Sequence, residues 1–141
     1  MEVSEVRKQV LAAIERAKRT TAGRRARADE ASHEYPVFLE QIAVPLFKQV
    51  ANILKAHTYN FSVFTPSGSV RLMSEKSSDD YIELLLDTSG DEPLVIGHVN
   101  RGRGHRILES ERPIGTGPIR ELTEEQVLEF LMKELERFVD R

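Results

Sequence analysis

Near Tyr59 the spacing of apolar residues changes from about four to two, and no other feature restricts the fold so tightly. Upstream, Phe38, Ile42, Leu46, Val50 and Leu54 recur every four positions, with Ala43, Phe47 and Ala51 beside them. That repeat places one wide apolar face on a helix over residues 35–57. Downstream, residues 59–65 (YNFSVFT) alternate, with Tyr59, Phe61 and Val63 on one side, the period of a strand. A chain that first spirals and then zigzags must lay helices against a sheet, so the expected class is α+β.

Two more helices flank this switch. Val3, Val6, Val10, Ala13, Ile14 and Ala17 recur at steps of three and four over residues 3–19. Their stripe is narrow and built of small side chains, close to the seam of a two-stranded coiled coil. Extended further, the period passes Thr21, Arg24, Arg25 and Ala28, so the apolar face fades after Ala17. Pro45 lies inside the second helix and cannot donate to the carbonyl of Gln41. A kink or a break is expected near residues 43–45, with the stripe kept in phase. At the far end, Thr123 and Gln126 have capping-box spacing, and Glu124 and Glu125 suit a helix N-terminus. Leu128, Leu131, Leu135 and Phe138 form the expected inner stripe there, widened by Val127 and Val139.

Between the helices, residues 70–75, 81–88 and 94–100 read as strands, and residues 105–110 as a fifth. For residues 70–75, alternation does not decide whether Val70 and Leu72 or Met73 face inward. A type I turn is expected at residues 65–68, from Pro66 and Gly68. Turn clusters stand at residues 77–80 and 89–93, and residues 111–120, with two prolines and two glycines, read as irregular. All the links are short, so the sheet should be a four- or five-stranded antiparallel meander. The 141 residues fit one domain, with residues 1–30 as a helical N-terminal arm.

Composition removes several classes of function. With no cysteine in the chain, a disulfide scaffold, a thiol nucleophile and a Cys-ligated zinc site are excluded. No apolar run comes near the ~20 residues of a membrane span. The N-terminus is acidic and then amphipathic, unlike a signal peptide. A cytoplasmic protein with no membrane contact is therefore expected. The net charge of −3 opposes a strongly electrostatic nucleic-acid footprint.

The most unusual local pattern is the Gly-flanked basic segment at residues 100–106. Arg101, Arg103, His105 and Arg106 there could meet an anion such as a phosphate or a nucleic acid backbone. It has neither the Lys-Ser/Thr of a Walker loop nor the helix that follows a dinucleotide fingerprint. A second basic stretch, residues 16–27, spreads its charge around the helix and has no aromatic residues for stacking on bases. Its charges could meet acidic residues of the last helix: Glu121, Glu124, Glu125, Glu129, Glu134, Glu136 and Asp140 outnumber Lys133, Arg137 and Arg141.

Of the histidines His33, His57, His98 and His105, none has metal-ligand spacing. Neither a metal nor a cofactor is expected. A hairpin could still bring His98 and His105 to face each other, with Glu109 or Asp87 beside them. The carboxylate pairs Asp79-Asp80 and Asp91-Glu92 fall in turns, and Ser67-Gly68-Ser69 is a turn rather than a nucleophile elbow. Three functional expectations follow. The first is a non-catalytic protein-interaction module, a homodimer or a binder of another protein, self-associating through Val3, Val6, Val10 and Ile14 and through the outer sheet face. The second is an anion or nucleic-acid binder using residues 100–106. The third is an enzyme using His98 or His105 with Glu83 or Asp87.

Overall fold

Residues 1–139 are described by the computed structural model. One helical run opens the chain: α1 (Val3–Phe38), a π-helical turn (Leu39–Ala43) and α2 (Val44–Ala56) follow without a gap. The N-terminal helices expected as separate are therefore two pieces joined end to end. Helix α1 alone is 36 residues long, about 54 Å at 1.5 Å per residue. Gly23 does not interrupt it.

The π-turn answers the difficulty posed by Pro45. The amide of Val44 reaches back to the carbonyl of Leu39, five residues away, where an α-helix reaches four. One residue is thereby added to the turn. The buried positions step from Phe38 to Ala43, and Ile42 is left at the rim. So the apolar face does change phase, contrary to expectation, and the wider turn takes the place of a break. Pro36 and Pro45 flank the π-turn, and both are exposed, so carbonyls deprived of a donor can be met by water. The run ends at residues 57–59. The Tyr59 amide bonds the Leu54 carbonyl and that of Thr58 bonds Lys55, the double bond of a Schellman cap. Thr58 holds φ at 71° to make it.

Five strands follow: β1 (Phe61–Phe64), β2 (Ser69–Ser74), β3 (Tyr81–Asp87), β4 (Leu94–Arg103) and β5 (Arg106–Pro113). They lie in sequence order, each antiparallel to the next. The class is α+β with a meander, as the period change implies. Tyr59 falls outside β1 and is exposed. The β1–β2 turn is shifted by one residue from the expected type I turn. Ser69 bonds Pro66, and Gly68 takes φ of 76° in the third place, which is the demand of a type II turn. Residues 111–113, read as irregular, continue β5.

Val70, Leu72, Ile82, Leu84, Val95 and Val99 form the covered face of the sheet and are almost fully buried. This settles the orientation of β2 in favour of Val70 and Leu72. Against it pack Tyr35 and Phe38 of α1, Phe47 and Val50 of α2, and α3 (Glu124–Val139). Thr123 and Gln126 close the capping box of α3: each side chain bonds the other residue's amide, at 3.2 and 2.9 Å. Helix α3 is turned from the expected stripe. Phe130 faces inward and Leu128 outward, because Gly97 opens a seat for the Phe130 ring that any Cβ would fill.

Tyr35 lies inside this packing, and its hydroxyl donates to the Leu84 carbonyl at 3.2 Å. Burial, with the Glu83 charge adding to it, pushes the phenol well above the ordinary range. An unfolded tyrosine ionises near pH 10. The contribution of Tyr35 to stability is thus whole below about pH 10 and is lost as pH rises towards its folded value. Tyr35→Phe should cost about 1 kcal/mol at neutral pH through the lost hydrogen bond. It should also flatten the fall in stability above about pH 10, as read by urea unfolding across the alkaline range.

Candidate functional site

No helix among the described residues covers the second face of the sheet. Strand register lines up one row of side chains across it: Phe64, Arg71, Glu83, His98 and Glu111, from β1 to β5. Neighbours in the row bond one another in pairs. Arg71 Nε donates to Glu83 Oε2 at 2.8 Å, and His98 Nδ1 lies 2.9 Å from Glu111 Oε1. The Arg71 guanidinium also sits 4.1 Å above the Tyr81 ring, and Tyr81 stacks on His98 with centroids 5.8 Å apart. These neighbours screen Glu83 to 8% exposure with no covering helix.

Glu83 and His98 are therefore directly opposed, yet each is held by another residue. Asp87 stands apart at the end of β3, accepting from the Ser89 hydroxyl at 2.6 Å; that bond, and a second from the Ser89 amide, hold its carboxyl below the ordinary range. His105 belongs to the β4–β5 turn, far along the hairpin from His98. The expected meeting of His98 with His105 and Glu109 or Asp87 does not occur, because β4 and β5 pair His98 with Glu111 instead. Among the described residues no group of three or more histidines and carboxylates can hold a metal ion.

The basic segment is a hairpin tip rather than a loop. Strand β4 runs on to Arg103, β5 begins at Arg106, and only residues 104–105 turn. Gly104 takes φ of 61° in the first turn position, where a type II′ hairpin needs glycine. Alternation puts Arg101, Arg103 and Arg106 on the same side of the ribbon, Arg103 and Arg106 being cross-strand partners. The tip is braced from below: the Gly102 amide donates to Asp80 Oδ1 at 2.9 Å, and Asn100 Nδ2 to the Asp79 carbonyl at 2.6 Å. Asp79 and Asp80 thus occupy a turn as expected, with a structural task.

The second basic stretch is put to use within the chain. Arg24 pairs with Asp91 at 2.8 Å, and Arg27 donates to the Asp91 carbonyl at 2.9 Å. Farther along α1, Glu30 and Glu34 hold Arg120 at 2.8 and 3.2 Å, and Glu34 also accepts from the Arg120 amide. Desolvation is the largest single influence on Glu34 and acts to raise its ionisation, but the Arg120 bonds and one with Glu30 together outweigh it and leave the carboxyl below its usual range. The cleft beside them, about 200 Å³, is lined by Arg27, Glu34, Pro93, Pro118 and Arg120. Within the chain, the basic stretch meets residues 91–92 rather than the last helix. Asp140 and Arg141 lie outside the described residues.

Upstream of Gly23 the helix has no covering at all. Every residue from 1 to 22 is exposed. Val3, Val6, Val10 and Ile14 keep 82%, 43%, 51% and 45% of their surface. Helix α1, with the π-turn and α2, also contains an 18-residue window of mean hydropathy 1.3 with at most two charged residues. By length and composition alone that window is apolar enough to cross a membrane, which amends the expectation that no stretch comes near it. A third of the window is buried inside the protein.

Arg71 and Glu111 were not legible as members of the outer row. The face of β2 was undetermined, and Glu111 lay in a segment read as irregular. Comparison with family models, with curated proteins and with solved structures yields no match. Removing one member of a partly buried ion pair strands the other. Glu83→Ala should lower stability by roughly 2–3 kcal/mol in urea unfolding at neutral pH.

Proposed function

We propose that this chain is a non-catalytic interaction module that self-associates through the N-terminal half of α1. The observation that carries this reading is a stretch of twenty helical residues, 3–22, standing in water with an apolar stripe. Isolated helices of 12–15 residues are marginal in water, and most helical stability comes from packing one face. The stripe of Val3, Val6, Val10, Ile14 and Ala17 is left uncovered by the described residues, so its natural cover is another helix. Two-fold pairs of identical chains are the commonest soluble assemblies, and a narrow β-branched seam suits a second helix of the same kind. Full burial of a valine or isoleucine side chain is worth about 1.5–3 kcal/mol. Association itself costs on the order of 4–15 kcal/mol. A seam this short thus supports a concentration-dependent dimer rather than a permanent one. The outer sheet face contributes less to this reading, because its charges are already paired along the row.

Val10→Asp combined with Ile14→Asp puts unpaired charge into the seam without touching the buried face of the helix. Sedimentation should show the wild-type chain shifting from monomer to dimer with concentration, and the double variant remaining a monomer throughout. A wild-type chain that stays monomeric at the highest attainable concentration would remove the reading.

A second reading rests on the hairpin tip. Like charges facing each other across two strands are destabilising, and Arg103 faces Arg106 with no ion-pair partner among the described residues. An anion between them relieves that repulsion. If the tip binds polyphosphate, affinity should fall with added salt and should be lost in Arg103→Ala with Arg106→Ala. Binding retained in that variant would exclude the tip.

A further inference from the structure

We infer that the two arms of the dimer run antiparallel, crossing at Val10, with the globular parts of the two copies at opposite ends. This orientation presupposes the self-association proposed for the arm. It follows from which side of the helix the rest of the molecule occupies. At about 100° per residue, the side of the helix that carries the seam continues beyond Ala17 through Thr21, Arg24, Ala28, Ala31 and Tyr35. Arg24 there bonds Asp91, and Ala31 and Tyr35 are buried. Seam and body therefore lie on the same side of the helix.

A parallel partner held in register on this seam would run, past residue 20, into the space filled by Asp91, Glu92 and the sheet. Its own body would need that same space. Antiparallel pairing about Val10 avoids both conflicts. Val3 then lies level with Ala17 of the second copy, and Val6 with Ile14 of the second copy. Val3, where the stripe starts, is level with Ala17 of the other copy, so the paired stripes end about 10 Å short of Arg24 at 1.5 Å per residue. The overlap thus covers the apolar part of the stripe and stops where the body begins.

Charge favours the same arrangement. The start of the arm carries Glu2, Glu5, Arg7 and Lys8, which balance, and its end carries Glu15 with Arg16, Lys18 and Arg19, an excess of two positive charges. Antiparallel arms bring Glu2 to the level of Arg16 and Lys18 of the other copy, twice per dimer. Parallel arms stack the basic ends together, within a Debye length of about 8–10 Å. Opposed helix dipoles add to the preference.

Because the chain has no cysteine, single cysteines report the geometry directly in the full-length protein. Val10→Cys should form a covalent dimer by itself on mild oxidation. Val3→Cys and Ala17→Cys should each fail alone, since their copies lie about 21 Å apart, beyond the reach of a disulfide. Mixed together, the two should cross-link. If Val3→Cys and Ala17→Cys each cross-link to themselves as readily as Val10→Cys, the arms are parallel and the orientation is overturned while self-association stands. If none cross-links and sedimentation finds only monomer, self-association itself fails, and the orientation with it.

Discussion

The covered face of the sheet and the inward side of the long helical run hold each other in place. Val70, Leu72, Ile82 and Leu84 are shielded where Tyr35, Phe38, Phe47 and Val50 lie across the sheet. The run continues as a helix past two prolines because that burial outweighs their cost. The π-turn is the local adjustment that lets both hold. It adds a residue where Pro45 would strain the turn, and it brings Ala43 and Phe47 onto the sheet in place of Ile42. The remaining elements follow from this contact. Helix α3 fills the part of the sheet that the run leaves open, seated at Gly97, and the loops at residues 89–93 and 118–121 tie to α1 through Arg24, Arg27 and Arg120.

Much of this was legible from periodicity, since burial on one face leaves a repeat that the eye can count. Spacing by four marked α2, alternation marked the strands, and short links implied their order. The capping box of Thr123 and Gln126 was readable because it is a local exchange of two bonds. What stayed hidden depends on long-range geometry. The row from Arg71 to Glu111 exists only once the register of four strand pairings is known. The phase slip at Ala43 is invisible in a stripe that includes Ile42 as well as Ala43. The continuity of α1 through residues 20–34 has little apolar signal, because Arg24, Arg27, Glu30 and Glu34 anchor it by charge rather than by oil.

Chemistry and fold part company on this molecule. Three of the groups that suggested catalysis are each held by a neighbour: Glu83 by Arg71, His98 by Glu111, and Asp87 by Ser89. The groups that suggested contact with other molecules lie at its extremities, at the hairpin tip and along the first six turns of α1. A helix anchored at one end by a packed core and bare at the other is ordered by its root and exposed along its shaft. The proposed self-association rests on that division: the core fixes where the arm starts, and the seam is left exposed.

Amide hydrogen exchange along α1, recorded over a range of protein concentrations, tests this division most directly. Protection of residues 31–56 should be strong and independent of concentration, because the sheet provides it. Protection of residues 5–19 should be slight in dilute solution and should rise as the chains pair. Equal protection of both stretches at the lowest concentration, or none in the arm at the highest, would contradict the account.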